Sequence, residues 1–291
     1  MNASSTATSF DHLRDWVGCT ERRVDTVTAA PLAGLAATLD RADAEPLPGT
    51  PLAPLAHWLF FLPVARQSEI GADGHPQRGG FLPPVALPRR MWAGSRLTFH
   101  HALNVGDEML RHSTITKVDA KTGRSGALVF VTVRHEITSA AGLALTEEHD
   151  IVYRDHPVPG AAVAAPVQAP TDAAFSRRIE PDPVLLFRYS ALTFNAHRIH
   201  YDRAYATGVE GYPGLIVHGP LIATLLLDLV RRELPAARIR GFEFRAASPL
   251  FDIHPFSVCG RHEANQAGAS VALWAANHEG ALAMHARAEL A

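Results

Sequence analysis

Apolar and polar positions alternate along several stretches in the first half of the chain. Between Val129 and Val133, every second residue is a valine. This period of two is typical of a half-buried antiparallel strand. Strands are predicted in this way at 96–103, 108–118, 128–138 and 143–153. They follow an apolar helix predicted at 31–39, with Pro31 at the favoured first position.

The second half of the chain repeats this order of elements. A strand is predicted at 184–189, a polar loop at 190–202 and a strongly apolar helix at 220–234. Four more strands are predicted at 237–246, 257–263, 269–276 and 281–290. Because the helix is apolar nearly all round, it must be covered, and a curved antiparallel sheet is its natural cover. The pattern therefore predicts an α+β protein of two tandem units, each a long helix wrapped by a curved antiparallel sheet.

The two units are separated by a segment that has little to bury. Residues 156–174, HPVPGAAVAAPVQAPTDAA, are rich in proline and alanine, which is typical of a stiff linker. A chain of 291 residues has the length of two domains of about 150 residues each. We therefore predict an N-terminal unit at 1–155 and a C-terminal unit at 175–291. The alternative is that the segment is a surface loop of one larger domain.

Charge and cysteine content exclude several classes of protein. The formal net charge is −2 and no basic run occurs, so a nucleic-acid partner is not expected. Cys19 and Cys259 lack a CxxC partner, which argues against a disulfide framework or a thiolate zinc site. The first ten residues lack the features of a signal peptide, and the longest apolar stretch, 221–227, is too short for a membrane span. A cytoplasmic protein without a membrane partner is expected.

Polar groups that can exchange protons crowd into one short segment, YSALTFNAHRIHYD at 189–202. Its last eight positions hold Asn195, His197, Arg198, His200 and Asp202. Such groups can donate, accept and transfer protons near neutral pH. The alternative is a solvated loop in a chain that has 16 histidines. The spacing of the two histidines also resembles that of metal ligands, but no third ligand is evident nearby, so no metal is expected.

A second signal is the segment GLIVHG at 214–219, which ends where the apolar helix begins. The first N–H groups of a helix have no partner within the helix, and a glycine there lets a ligand carbonyl approach closely. The N–H of Gly219, with the helix dipole, could therefore hold the charge of an oxyanion. A plain helix start, with Pro220 in its first turn, is the commoner explanation for such a segment.

Together, the two segments resemble the hydratase motif of the MaoC-like (R)-specific enoyl-CoA hydratases. The string LTFNAHRIHYD, with RGGFLPPVALPRRMWAG at 78–94, is similar to a double-hot-dog branch of that superfamily. This branch includes mesaconyl-C4-CoA hydratases, itaconyl-CoA hydratases and type 2 3-hydroxyacyl-thioester dehydratases. The resemblance implies a tandem hot-dog fold with a degenerate N-terminal repeat and a catalytic C-terminal repeat. It also implies a CoA-thioester substrate and no cofactor, and it leaves monomer and homodimer open.

The resemblance also assigns roles to residues. His200 matches the catalytic histidine of the family, and Gly219 matches the glycine of the oxyanion hole. Asn195 stands where the family has its catalytic aspartate, and His197 stands where it usually has asparagine. Because an amide cannot act as a general base, Asn195 is expected to orient the water and His200 to be the base. His197 and His218 are expected to contact the substrate.

The expected reaction is the addition of water to a 2-enoyl thioester, or its reversal. A C5 dicarboxylyl group, as in mesaconyl-C4-CoA or itaconyl-CoA, needs a cation for its distal carboxylate, and the candidates are Arg89, Arg90 and Arg198. The alternative is a 3-hydroxyacyl-thioester dehydratase of fatty-acid metabolism. A fatty-acyl substrate would need an apolar tunnel, for which the candidates are Trp58, Phe60, Phe61, Phe81 and Trp92.

Two other classes of function stay open at the level of the sequence. A thioesterase would need a carboxylate on the apolar helix, but Asp228 and Glu233 lie towards its far end. A non-catalytic acyl-CoA-binding protein is conceivable because Asn195 replaces the aspartate of the family.

Overall fold

Ten strands form one antiparallel sheet in the computed structural model of the chain, which describes residues 10–123, 126–155, 165–265 and 268–291. The strands are β1 (Thr20–Thr26), β2 (Arg89–Phe99), β3 (Glu108–Gly123), β4 (Gly126–Ser139), β5 (Gly142–Arg154), β6 (Phe175–Ile179), β7 (Ile239–Ala246), β8 (Phe256–Asn265), β9 (Gly268–Ala276) and β10 (Leu282–Leu290). The α-helices are α1 (Ala29–Thr38), α2 (Pro183–Leu192), α3 (Arg203–Gly208) and α4 (Gly219–Glu233). Short 3₁₀ turns lie at Asp11–Trp16, Ala56–Leu59, Gln67–Glu69 and Arg198–His200.

The sheet consists of two halves with the same strand order. In the first half, β1, β3, β4, β5 and β2 lie side by side, and in the second half β6, β8, β9, β10 and β7 do so. The halves meet where β2 pairs with β7, with Leu97 opposite Phe242. Each strand therefore has a counterpart at the same place in the other half, and the two equivalent central strands pair with each other within one chain.

The apolar helix predicted at 220–234 is confirmed as α4, and the sheet of the second half covers it. Residues 221–230 are all buried, and α4 packs against β6, β8, β9 and β10. Burying a leucine stabilises the fold by about 1.5–3 kcal/mol relative to leaving it exposed. Pro220 occupies the first turn, where the missing N–H of proline costs no helical hydrogen bond. Burial of α4 thus fixes the position of its first residue, Gly219, relative to the sheet of the second half.

The corresponding place in the first half holds a shorter helix. α1 has ten residues and packs against α2 and the turn at Ala56–Leu59. It ends before Asp40, whose φ of 55° is left-handed. Four prolines between positions 46 and 54 then prevent a helical continuation. The long wrapped helix is therefore a feature of the second half, and in the first half a largely irregular segment leads from α1 to β2.

One predicted element is wrong, because residues 184–189 lie in helix α2 rather than in a strand. Asp182 caps this helix, since its carboxylate accepts a hydrogen bond from the N–H of Leu185 at 2.8 Å. Pro183 follows at the first helical position. These start signals outweigh the strand-like run of apolar residues. The hydrophobic pattern also missed the edge strands β1 and β6, whose exposed positions, except Val24, carry polar side chains.

Part of the predicted linker, residues 156–164, lies outside the described residues. Residues 165–174 contain no helix and no named strand. Within the described ranges, none of the helices combines the length and the apolar character needed to cross a membrane.

Candidate active site

The loop between α2 and α3 holds the polar segment that the sequence singled out. The N–H of Asn195 donates to the carbonyl of Ser190 at 2.8 Å, and the side-chain oxygen of Asn195 accepts from the N–H of His197 at 3.0 Å. Phe194 takes a left-handed φ of 49° at the sharp bend before it. Asn195 therefore shapes this loop as well as facing the cavity described below.

His200 lies at the end of this loop and is only 8% exposed. Its Nδ1 lies 2.7 Å from the carbonyl oxygen of Ile216, so Nδ1 carries the hydrogen and donates it, and Nε2 keeps its lone pair. Burial lowers the pKa of His200 to about 3. The ring is therefore neutral at neutral pH, which is the form that can accept a proton.

His218 connects His200 to the start of α4. The rings of His200 and His218 stack with centroids 3.7 Å apart, and Gly219 follows directly as the first residue of α4. His218 is 1% exposed, and its Nε2 shares a hydrogen bond of 2.8 Å with the hydroxyl of Ser190. Its Nδ1 is buried and has no hydrogen-bond partner among the described residues. Burial lowers the pKa of His218 well below its usual range, so this ring is also neutral.

Gly219 has free space at the position where a side chain would project. A Cβ built on this residue would have no described atom within 4 Å, apart from its own neighbours in the chain. α4 has no side-chain N-cap among the described residues. There is therefore room for a ligand beside Gly219, at the positive end of the dipole of a buried helix.

A cavity of about 750 Å³ lies next to these residues and extends across the sheet of the first half. Asn195 and Pro220 line it on the side of the second half. His200 and Gly219 do not line it themselves, but each is close in sequence to one of these lining residues. The aromatic residues that the sequence suggested for an acyl tunnel all line it: Trp58, Phe60, Phe61, Phe81 and Trp92.

The three arginines proposed from the sequence lie in different places. Arg90 lines the cavity. Arg89 instead forms an ion pair with Glu210 at 3.1 Å, and Arg198 forms one with Asp202 at 2.7 Å. Arg89 and Arg198 do not line the cavity, so Arg90 is the candidate of the three that can meet a bound acyl group.

The tertiary structure adds cavity arginines that sequence reasoning missed, namely Arg23, Arg78 and Arg111. The side chain of Arg111 is 20% exposed, against 40% for Arg23. Its guanidinium lies 4.9 Å from the centroid of the Phe61 ring, and its Nε is buried without a hydrogen-bond partner among the described residues. Burial lowers the pKa of Arg111. Because Arg111 sits on a strand far from both motifs, no local signal marks it.

A buried carboxylate on β5 was also missed. Glu147 is 3% exposed and accepts hydrogen bonds from His57 at 3.2 Å, Trp58 at 3.1 Å and Ser95 at 2.9 Å. Burial works to raise the pKa of Glu147, but the hydrogen bond and charge of His57 outweigh it and lower the pKa. Nearby, burial lowers the pKa of His135 to about 3 and that of His149 to about 4. This wall of the cavity is therefore polar, with the negative charge of Glu147 near the neutral rings of His135 and His149.

A third group, from the segment before β2, lies against the loop of the second half. Asp73, His75 and His197 each bring a potential metal-ligand atom within 4.8 Å of the others, a donor set that a divalent metal can bind. The sequence gave no third ligand near His197, because Asp73 and His75 are more than 120 positions away. The Nδ1 of His75 donates to Asp73 at 3.0 Å, so two of the three atoms already form a hydrogen-bonded pair. Burial lowers the pKa of His197 to about 3.

The carboxylates on α4 have another role. Asp228 is 2% exposed and forms ion pairs with Arg41 at 2.8 Å, Arg177 at 3.2 Å and Arg232 at 2.7 Å. It does not line the cavity. A carboxylate held by three guanidinium groups is not a free base. Glu233, the last residue of α4, is exposed and does not line the cavity either, so neither carboxylate of this helix supports thioesterase chemistry.

Known proteins match both the sequence and the fold. The sequence pattern of the family described as hydroxyacyl-thioester dehydratase type 2 matches residues 55–252. Mesaconyl-C(4)-CoA hydratase of Chloroflexus aurantiacus is 49% identical over 278 residues, which cover 94% of this chain and 96% of that protein.

Solved structures show the same architecture. A protein described as a MaoC-like dehydratase superposes with a TM-score of 0.70 at 15% identity, over 96% of this chain and 99% of that chain. A Mycobacterium tuberculosis protein described as having a double hotdog fold superposes with a TM-score of 0.58 at 15% identity, over 94% of this chain and 96% of that chain. The predicted double-hot-dog fold is therefore confirmed. With its family pattern matched over more than half of its length, the chain belongs to the type 2 hydroxyacyl-thioester dehydratase family.

Proposed function

We propose that this protein is a hydro-lyase that adds water to the double bond of a 2-enoyl-CoA thioester, and catalyses the reverse elimination. The observation that carries the proposal is the neutral ring of His200, stacked beside the start of α4 next to a cavity of about 750 Å³. This arrangement offers a base and an oxyanion-binding N–H at one place.

His200 and Gly219 have separate roles in the proposed reaction. When water attacks the β-carbon, its O–H bond breaks and the proton moves to Nε2 of His200. The electron pair of the double bond moves towards the thioester, whose oxygen becomes an enolate. The N–H of Gly219 and the helix start stabilise this oxygen, and the enolate charge in turn offsets the charge on the His200 ring. Protonation of the α-carbon then completes the addition.

Asn195 orients the water in this scheme. Its side-chain oxygen is held by the N–H of His197, and its amide group can still donate a hydrogen bond into the cavity that it lines. A fixed amide positions a nucleophile without exchanging a proton with it.

The substrate that we favour is a C5 dicarboxylyl-CoA such as mesaconyl-C4-CoA or itaconyl-CoA. The relative from Chloroflexus aurantiacus that shares 49% identity is a mesaconyl-C(4)-CoA hydratase. Among the described residues that line the cavity, four are arginines and two are glutamates, and this excess of positive charge suits an acyl group that carries a carboxylate. Arg90 is the arginine that we assign to that carboxylate.

The second candidate is a 3-hydroxyacyl-thioester dehydratase that acts on fatty-acyl chains. It is favoured by the aromatic side chains on the cavity wall, among them the five that the sequence suggested, and by the family pattern. The two candidates share the catalytic residues and differ in the group that occupies the far part of the cavity.

Product analysis with crotonyl-CoA, a medium-chain enoyl-CoA, mesaconyl-C4-CoA and itaconyl-CoA tests the proposal. Loss of the enoyl absorbance with formation of a hydroxyacyl-CoA supports hydration, and the preferred substrate separates the two candidates. Release of free thiol would show a thioesterase, and binding without conversion would show a binding protein, so either result overturns the proposal. His200→Gln should lower kcat by roughly 10²–10⁴-fold without changing the circular dichroism spectrum.

A further inference from the structure

Residues 72–75 of the N-terminal half are hydrogen-bonded to the loop between α2 and α3 (residues 193–202), which is called the catalytic loop below. The N–H of Arg198 donates to the carbonyl of Asp73 at 2.9 Å, and the guanidinium of Arg198 donates to the carbonyl of Ala72 at 3.0 Å. Gly74 has a φ of 90°, and a Cβ on it would lie 1.8 Å from the carbonyl oxygen of Ala196. Only glycine permits this approach of the two backbones. The residue that follows, His75, is therefore fixed relative to the catalytic loop.

His75 is oriented by a carboxylate. Its Nδ1 donates to Oδ2 of Asp73 at 3.0 Å, and its backbone N–H donates to Oδ1 of the same carboxylate at 3.0 Å. The hydrogen of the ring therefore sits on Nδ1, which leaves Nε2 as the atom that can exchange a proton. The ring contacts that of His197, with centroids 3.9 Å apart and the planes tilted by 41°, and His75 lines the cavity together with Asn195.

The catalytic loop by itself has no imidazole that is oriented by a carboxylate of the same loop. Asn195 cannot exchange protons, and the hydrogen bond described for His200 goes to a neutral carbonyl rather than to a carboxylate. A carboxylate behind an imidazole orients the ring and stabilises the imidazolium that forms when the ring takes up a proton. Two such pairs lie at the cavity wall among the described residues, His57 with Glu147 and His75 with Asp73. His75 is the one whose ring contacts the catalytic loop, through His197, and it comes from the N-terminal half.

We propose that His75, oriented by Asp73, is a second acid–base residue of the reaction and transfers the proton of the α-carbon. This inference rests on the proposed hydro-lyase function. During hydration, the N–H bond at Nε2 of protonated His75 breaks as the α-carbon of the enolate takes the proton and the C–H bond forms. His75 is then neutral, while His200 holds the proton taken from water. That proton returns to His75 by way of His197, whose ring centroid lies 5.5 Å from that of His200 and 3.9 Å from that of His75, so the net change is the addition of one water molecule.

The variant His75→Gln tests this role in the full-length protein. We expect kcat to fall by roughly 10²–10⁴-fold, with KM changed less than threefold. In D₂O, the wild type should exchange the α-proton of the 3-hydroxyacyl-CoA product with solvent, and His75→Gln should lose this exchange. Asp73→Asn should lose part of the activity, because it keeps the ring but removes the charge behind it. Imidazole added to His75→Ala should restore part of kcat, which also shows that the variant is folded.

A matched control is His278→Gln. His278 lies at the turn between β9 and β10, away from the cavity, and stacks on His254. It should keep wild-type kinetics and exchange.

Three results would overturn the inference. The first is wild-type kcat and exchange in His75→Gln. The second is a loss of kcat in His75→Gln with full α-proton exchange. The third is about one equivalent of a divalent metal that copurifies with the wild type, is lost in His75→Gln and is needed for activity, since His75 would then be a metal ligand. If the wild type hydrates no enoyl-CoA, the proposed function itself has failed, so the two failures are distinguishable.

Discussion

Replacing Gly219 by alanine separates the stability of the α4 start from its use by a ligand. The φ of Gly219 is not left-handed, and the added Cβ would have no described neighbour within 4 Å. The methyl group therefore fits without strain, and the unfolded chain loses freedom. Gly→Ala substitutions at such positions stabilise proteins by about 0.4–1 kcal/mol, which corresponds to a rise in Tm of about 1–2 °C for a chain of this size.

Activity should change in the opposite direction. The Cβ would project into the space in which the thioester oxygen approaches the N–H of Gly219. Removing an oxyanion donor outright costs about 10²–10³-fold in kcat. Because alanine keeps the N–H and only pushes the oxygen away, we expect a loss of roughly 10–100-fold.

The assay pairs thermal unfolding with steady-state hydration of the preferred enoyl-CoA. Gly208→Ala is the matched control, because Gly208 is the last residue of a helix as Gly219 is the first residue of one. Gly208 also has no described neighbour within 4 Å of a built Cβ and no left-handed φ. The control should match the gain in Tm and keep wild-type kcat. Unchanged kcat in Gly219→Ala would refute the reasoning on the oxyanion site, and a Tm lowered by several degrees would refute the reasoning on free space.

Three further predictions address other parts of the molecule. Arg90→Met should raise KM for mesaconyl-C4-CoA by roughly 10–100-fold but not KM for crotonyl-CoA, whereas Arg89→Met should leave the ratio of the two unchanged; an equal effect of Arg90→Met on both substrates would contradict the assigned role. Asp228→Asn should lower the free energy of unfolding by about 3 kcal/mol in urea titrations, because three arginines lose their buried partner, and activity per folded molecule should persist. Loss of activity in the folded variant would reopen a chemical role for that carboxylate. Stability should also fall as the pH drops from about 6.5 towards 4, because several histidines are buried in the neutral form with a pKa lower than in the unfolded chain, so that the unfolded chain binds more protons in that range. Those histidines are His135, His149, His197, His200 and His218. Each contributes at most about 1.4 kcal/mol per pH unit, and urea unfolding at pH 7, 6 and 5 measures the slope; a flat profile would show that the rings are not buried neutral.

The sequence by itself determined the elements whose signals are local. The helix at 220–234 and the strands around 128–138 could be predicted because a buried face imposes its period on neighbouring residues. The segments with Asn195, His200 and Gly219 could be singled out for a similar reason, since each motif is contiguous. Even here, a local signal was misread at 184–189, where the cap at Asp182 decided for a helix.

Only the tertiary structure decided which groups meet across the two halves. Arg89 and Arg90 are neighbours in sequence, yet Arg90 faces the cavity and Arg89 is held by Glu210, 121 positions away. The rings of His75 and His197 are in contact although they come from different halves. The pairing of β2 with β7 and the close approach of Gly74 to Ala196 bring such residues together. Contacts of this kind depend on how the two halves of the sheet pair and how two distant loops pack together, and no period along the chain records that geometry.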